Sequence, residues 1–446
     1  MAIARPDVAT DQSAIEDEGG KASPIRFTIF PTDAGLADQI GVFIGLFKLG
    51  MSLGYRYVHT PFRAWRCNSP GSSLAGALLR KVPGPLLRLF EAAFPERNFD
   101  VYSFLGFNAF LSARYGRAGR TPGARVLKIR LNDDRIRADG IGSLAALQAH
   151  VRSRVAAVSP SGRPLLVQFR LGGRNIKRGQ LFAMIHREIP ELQDGLSLRT
   201  GYEEARKSRP WPSEFVEGRV RLLAHIRVGD NAVFETPWHT FIPVASRLPG
   251  AFKEHARFED IESNKLLREP ELLRFIQGLM RFFAPGTFST LVFSDGYQRG
   301  FQRLREDRHR LNLAPAQIKS ICDLEEGHDD RSFAVFRDLT DCKCIIGETD
   351  RNLCDLIHST LTADIVIAQR MLPSLIPAYC GDRKPVVVIP HKGPPPDWAS
   401  TMSDHQGRFM YVDADAPDFE PVVRRLTESV DGLSSMASDS GHTVRK

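Results

Sequence analysis

The residues with the clearest chemical potential lie in Arg221-Leu-Leu-Ala-His-Ile-Arg-Val-Gly-Asp230. An apolar run (Leu222, Leu223, Ala224, Ile226) gives way to His225, Arg227, Gly229 and Asp230. That pattern predicts a buried β-strand whose carboxyl end opens on a crevice, the place where open α/β sheets bind their ligands. Arg227 supplies a permanent cation whose planar fork matches two phosphate oxygens. Gly229 lets backbone approach a ligand closely. A surface strand end with an Arg–Asp pair would use the same residues, so the neighbours must decide. Downstream, Glu235, Trp238 and His239 add a carboxylate, an indole and a second imidazole in one loop-rich segment. Transfer to a hydroxyl needs a base for its proton and a counter-charge for the departing phosphate. Glu235 and Arg227 are of the right types for those two tasks.

Three more segments repeat the theme. Leu291-Val-Phe-Ser294-Asp295-Gly296 is again an apolar run ending in polar groups. Asp355 and His358 stand three apart and so share a helix face. Gln369, Arg370 and Ser374 fall between the next strand, 364–368, and the following helix, where a phosphate could rest. Near the N-terminus, Gly35, Asp38 and Gln39 lie between the first strand and the first helix. That turn lacks the three spaced glycines of a dinucleotide site and the Lys of a P-loop, so neither is indicated.

Positioning these groups requires a regular scaffold, and the apolar pattern supplies one. Strands are predicted at 26–30, 55–59, 126–130, 164–169, 221–226, 290–294, 343–346, 364–368 and 385–389. Helices are predicted at about 41–53, 86–93, 144–157, 270–283, 298–306, 351–361 and 373–380. Strands separated by helices of this length predict parallel βαβ units. A helical stretch after Leu198 is stopped by Pro210 and Pro212 and reads as a connector. With 446 residues the chain exceeds one ordinary core, which predicts two α/β domains with a cleft between them. Their expected extents are 25–215 and 216–431. Residues 1–24 and 432–446 have the composition of disordered tails.

The bulk numbers narrow the class. The chain is 42% hydrophobic and 25% charged, values of a soluble globular protein. A formal net charge of +8 and a pI of about 9.2 favour an anionic partner. Cations are densest at Arg114 to Arg130 and at Arg170 to Arg178. No aromatic–basic repeat or zinc-finger spacing accompanies them, which argues against nucleic acid and leaves peripheral contact with a membrane surface open. Cys342-Lys-Cys344 lacks the usual zinc-knuckle gap, and the sparse cysteines predict buried free thiols. The acidic first residues offer no secretory signal, and no apolar run is long enough to span a bilayer. A cytoplasmic protein is the expectation.

With these segments in view, the chain resembles the fucosyltransferase superfamily, including the α1,6- and α1,2-fucosyltransferases. Gly35-Leu-Ala-Asp-Gln-Ile is similar to their Gly-Leu-Gly-Asn/Asp-Gln-Leu opening, and His225-Ile-Arg-Val-Gly-Asp to their His-x-Arg-x-Gly/Thr-Asp motif. Phe293-Ser-Asp resembles their strand ending in Ser/Thr-Asp-Asp, and Ala363-Asp-Ile-Val-Ile with Ala378-Tyr379 the last donor motif. Tyr202, Arg206 and Pro210 fit the helix before the Arg motif. The resemblance covers about residues 26–395. It implies a GT-B-like architecture of two Rossmann-type α/β domains and an inverting glycosyl transfer, with GDP-fucose as donor and a glycan hydroxyl as acceptor. It implies no metal and no cofactor. Arg227 would hold the β-phosphate, His225 and Asp355 would lie near the base, and Glu235 would be the catalytic base. Gly35, Asp38, Gln39, Trp238 and His239 would line the cleft. The remaining donor-side residues would be Asp230, Ser294, Asp295, Gln369, Arg370 and Ser374. Three positions depart from the family: Asn231 for its Lys, Gly296 for its second acid, and Met371-Leu372 for its Ser-Ser/Thr pair. A catalytically inactive glycan- or nucleotide-binding relative would carry such changes. A basic nucleic-acid-binding protein is a third class.

Overall fold

The computed structural model describes residues 25–29, 36–58, 104–105, 125–131, 139–158, 165–171, 184–185, 188–189, 198–228, 234–235, 240–243, 252–253, 267–306, 314–347, 350–368, 376, 386–392 and 409–429. In the N-terminal part, β1 (Ile25–Ile29), β2 (Arg56–Tyr57), β3 (Arg125–Leu131) and β4 (Leu165–Leu171) form a parallel sheet in the order β2-β1-β4-β3. Side chains alternate across a strand, and one face collects Phe27, Ile29, Leu127, Ile129, Val167 and Phe169. Two helices, α1 (Leu36–Ser52) and α2 (Leu144–Ala156), cover it. Every residue of α1 from Phe43 to Gly50 is buried, Lys48 included, so the helix is enclosed on all sides rather than amphipathic. At Gly50 a Cβ would lie 2.4 Å from the Phe27 ring, so the glycine is what lets α1 lie against β1. In α2, Leu147, Val151 and Val155 recur every four residues and face the sheet. Ser143 starts that helix by accepting a hydrogen bond from the Ala146 amide at 3.2 Å.

The chain then passes through α3 (Leu198–Ser208), which ends before Pro210 as the sequence predicts, into the C-terminal part. The expected boundary at 215/216 falls in the irregular stretch between α3 and β5 (Val220–Ile226). A small antiparallel sheet follows: β6 (Phe234–Glu235), β7 (Thr240–Pro243) and β8 (Phe252–Lys253). The main sheet pairs β5 with β9 (Phe288–Ser294), β10 (Cys342–Ile346), β11 (Ile365–Ala368), β12 (Val386–His391) and β13 (Phe409–Asp413). All its pairs are parallel. Its order is β10-β9-β5-β11-β12-β13. Counted along the chain this is 3-2-1-4-5-6, the doubly wound arrangement. The strands read as nearly continuous apolar runs because both faces are covered. On one face Leu222, Ala224, Val292, Ile367 and Val388 meet α4 (Glu269–Met280) and α9 (Glu420–Ser429). On the other lie Leu223, Phe293, Val366, Ala368, Val387 and Ile389, with Leu356 of α8 (Asp350–Thr362) packed against them.

The protein is therefore α/β, with two parallel sheets. Predicted strands and helices that fall on described residues are present, with ends shifted by a few residues. The helix expected at 86–93 and all of 373–380 except Ile376 lie outside the described residues. Helix α5 (Gln298–Glu306) was anticipated; the short strands β6, β7 and β8, helices α6 (Pro315–Glu325) and α7 (His328–Phe333), the 3-10 turn Ala334–Asp338, β13 and α9 were not. Helices α6 and α7 each bury one side chain, Ile321 and Phe333, and so show little amphipathic periodicity. The cysteine expectation needs correction: the four described cysteines are free, but only Cys354 is buried and Cys322 is exposed. Its position on the polar side of α6 explains the latter. Among the described residues no helix is long and apolar enough to cross a membrane.

One interaction ties the central strands together. Arg221 in β5 donates to Asp364, just before β11, through Nε at 3.1 Å, Nη2 at 2.9 Å and its own amide at 2.9 Å. Asp364 returns its amide to the Arg221 carbonyl at 2.8 Å. Its carboxylate is buried, and removing it would strand a half-buried guanidinium. Asp364→Ala should cost about 3 kcal/mol, read as a lower denaturant midpoint. An unchanged midpoint would show that the fork is dispensable.

Candidate functional site

In a doubly wound sheet a crevice forms at the carboxyl edge where the strand order reverses. Here that point lies between β5 and β11, which are hydrogen-bonded neighbours, His225 opposite Ala368. The strand singled out for its His-x-Arg pattern is thus one wall of the switch point. Residues Gln369 and Arg370 directly follow the other wall but lie outside the described residues.

His225 sits one residue before the end of β5, on the face shared with Phe293 and Ala368. It is 8% exposed, and its Nδ1 has no hydrogen-bond partner among the described residues. Burial, reinforced by the Arg227 charge, lowers its pKa to about 4. The ring is therefore neutral near pH 7, with a buried nitrogen unspoken for. Such orphans are rare and need an explanation. Arg227 follows two residues later, half-buried, just past the carboxyl end of β5. The next amide, Val228, donates to Asp295 Oδ1 at 2.9 Å. Asp295 thus straps the end of β5 to the end of β9 and holds the backbone beside Arg227. Ser294 Oγ accepts from the Gly296 amide at 3.1 Å, shaping the turn after β9. Two residues expected to face a donor therefore build the turns that border the crevice.

Asp355 and His358 do share a face of α8, and the structure shows what that face meets. Trp211 Nε1 donates to Asp355 Oδ1 at 2.8 Å. The Tyr202 hydroxyl contacts His358 Nδ1 at 2.5 Å. Arg199 donates to the Leu361 carbonyl. Helix α8 is thereby latched to α3 and the segment after it, and Cys354, Ile357 and Leu361 join the core of the N-terminal sheet. Arg206 lies 4.2 Å over the Phe104 ring and 5.3 Å over that of Tyr202. Its Nε and Nη1 are buried without acceptors, and burial lowers its pKa. The resemblance put Asp355 beside a base; one of its oxygens is taken by an indole.

The other expected residues divide simply. Asp38 and Gln39 lie in the first turn of α1, and Glu235 lies in β6 opposite Thr240; their side chains are outside the described residues. Gly35, Asp230, Trp238, His239 and Ser374 are outside them entirely.

Sequence reasoning missed two features of the same edge. His391 ends β12, buried to 8%, with Nδ1 unpartnered. Alternation places it on the face of Val387 and Ile389, the face of His225. Only β11 separates the two strands, about 10 Å in all, and Ala368 between them has little bulk. The cue was the polar end Pro390-His391-Lys392 after an apolar run. The second feature is a buried carboxyl–phenol pair: Tyr297 OH donates to Glu269 Oε1 at 2.6 Å. Burial raises the Glu269 pKa, while burial and the neighbouring carboxyl raise that of Tyr297. Asp329 accepts from the Tyr297 amide at 2.8 Å. No spacing rule links residues so far apart.

Fold and site together define a doubly wound α/β protein with a polar crevice at its switch point. Neither protein-family models, curated proteins nor solved structures show a match to this chain.

Two outcomes follow from this geometry. Gly296 has φ +71°, and a Cβ there would come within 2.9 Å of Asp329 Oδ2 and 3.0 Å of Ile346. Gly296→Ala should cost about 2 kcal/mol, and Gly296→Asp, the acid of the resembling family, should cost more. A thermal shift within error for both would remove the steric argument. Separately, His225 and His358 both have pKa values lowered to about 4, by burial first and by arginines second. The unfolded chain takes up their protons near pH 6.5, whereas the folded chain resists until about 4. Stability is therefore full above pH 6.5 and is lost as pH falls toward 4, by at most on the order of 3 kcal/mol for each ring. Glu269, with a raised pKa, acts in the opposite sense, losing stability as pH rises through the carboxylate range. His358→Gln should flatten the acid limb of melting temperature against pH; an unaltered limb would assign the dependence elsewhere.

Proposed function

We propose that the protein is an inverting, metal-independent glycosyltransferase of GT-B type, using a nucleotide sugar, GDP-fucose in first place, and a glycan hydroxyl as acceptor. The observation that carries this reading is the switch point itself. The strand bearing His225 and Arg227 is the one whose carboxyl end lies at the strand-order reversal. A buried imidazole with an unfilled hydrogen-bonding nitrogen stands beside it. The motif resemblance supplies the class of ligand; two parallel sheets supply a compatible scaffold.

In this mechanism Glu235 removes the acceptor proton as the hydroxyl oxygen attacks the anomeric carbon. The bond from that carbon to the diphosphate breaks in the same displacement, so the configuration inverts. Arg227 stabilises the charge that collects on the leaving diphosphate. His225, neutral at physiological pH, offers Nδ1 to a polar group of the nucleotide. His391 extends the same wall.

A second reading is a non-catalytic glycan- or nucleotide-binding protein on this scaffold. The Trp211–Asp355 hydrogen bond and Gly296 in place of an acid favour it. Calorimetry against GDP, UDP, CMP and their sugars identifies the donor. With that donor, Arg227→Ala should lower kcat/KM by about 10²–10³-fold and weaken binding. Glu235→Gln should retain binding and lose about 10²–10⁴-fold in turnover. Donor binding without turnover in the unaltered protein selects the second reading; absence of binding by any of the nucleotides or their sugars defeats the first reading and the nucleotide-binding form of the second.

A further inference from the structure

The N-terminal sheet carries its core on one face only among the described residues. Its opposite face is a lattice of cations. Cross-strand register puts Arg56 beside Arg26, Lys128 beside Gln168, and Arg130 beside Arg170. Thr28, Val126 and Leu166 complete the described part of that face. Thr28 and Leu166, at its centre, are buried. The open part is its border: Arg26, and the β3 edge with Val126, Lys128 and Arg130. Val126 is 47% exposed. No carboxylate belongs to this face among the described residues, and none of them forms an ion pair with Arg26, Lys128 or Arg130. The pairing of β3 with β4 also joins the two densest basic runs of the chain, whose members Arg130 and Arg170 become neighbours.

Charged residues on an edge strand ordinarily prevent sheet-to-sheet aggregation. That purpose accounts for Lys128 and Arg130 as charges but not for a single sign. Nor does it account for Arg26 against Arg56 and Arg130 against Arg170, since like charges directly opposite each other are destabilising. A border that is costly, one-signed and open calls for an anionic partner.

We infer that this border docks the protein on an anionic phospholipid surface. Among the described residues the face offers charge without an aromatic ring on which bases could stack, and an exposed isopropyl group, that of Val126, stands among the cations. Such a mixture suits the headgroup boundary of a bilayer. With no membrane-crossing helix among the described residues, the contact is peripheral. The inference is independent of the donor crevice, which opens at the strand ends of the other sheet.

The test is co-sedimentation of the full chain with vesicles of phosphatidylcholine alone and of phosphatidylcholine with phosphatidylglycerol, at low and high salt. Binding should require the anionic lipid and weaken with salt. Lys128→Glu with Arg130→Glu should reduce the partition coefficient by at least about 25-fold, at roughly fivefold for each cation removed. Arg281→Glu with Arg424→Glu changes the net charge equally at exposed sites elsewhere and should leave most binding intact. Circular dichroism verifies that both double variants fold. Equal losses in the two variants would reduce the effect to net charge and overturn the inference. So would no binding to anionic vesicles, or tighter binding of a single-stranded oligonucleotide with the same sensitivity to Lys128 and Arg130.

Discussion

The parallel pairing of β5 with β11 is the constraint on which the rest of the structure depends. These strands are far apart in sequence, and the chain reaches β11 only after building two strands on the other side of β5. The crossover through α8 reverses the direction of growth, and the crevice is a consequence of that reversal. The Arg221–Asp364 fork closes the far end of the same pair, with a buried carboxylate accepting from both a guanidinium and a backbone amide. One end of the β5–β11 pair is thus locked by charge-assisted hydrogen bonds. The other is left to present His225 and Arg227. A sheet anchored at one edge can bear a buried imidazole nitrogen without a partner among the described residues at the other, because the core between offsets the cost.

Helix α8 links this arrangement to the N-terminal sheet. Leu356 packs toward the C-terminal sheet, while Cys354, Ile357 and Leu361 enter the core built on β1, β3 and β4. Polar contacts from Tyr202, Trp211 and Arg199 reinforce the apolar ones. The helix that creates the switch point therefore also carries the contact between the two halves. Arg206, stacked on two rings with buried N–H groups lacking acceptors, is the costly member of this contact. Because buried ion-like groups tolerate few geometries, this cluster favours one arrangement of the halves over a continuum.

Local patterns were legible where one side chain after another answered to the same environment. Val386 to Ile389, buried on both sides, could be read as a strand from composition, and Leu147, Val151 and Val155 as one face of a helix. The polar ends of β5 and β9 were legible for the same reason, as abrupt breaks in an apolar run. Less legible were α6 and α7, each burying a single side chain, and the roles of polar residues whose partners are remote. Asp295 reads as a ligand-facing acid until its acceptor role for the Val228 amide is seen. Asp355 meets Trp211 across 144 residues, and His358 meets Tyr202 across 156. No window of sequence contains both members of such a pair.

By itself, then, the amino-acid order determined the α/β class, the alternation of strand and helix, and the strand ends at which polar chemistry is available. These depend on propensity and on apolar periodicity, both properties of short segments. Tertiary structure alone decided which strand ends meet. It set the 3-2-1-4-5-6 order, placed His391 on the face of His225, turned Asp295 and Asp355 into internal acceptors, and made Arg130 and Arg170, from two basic runs, neighbours on one sheet face. The physical reason is that strand pairing and helix packing are settled by long-range burial and hydrogen bonding, which act between segments that carry no local record of each other.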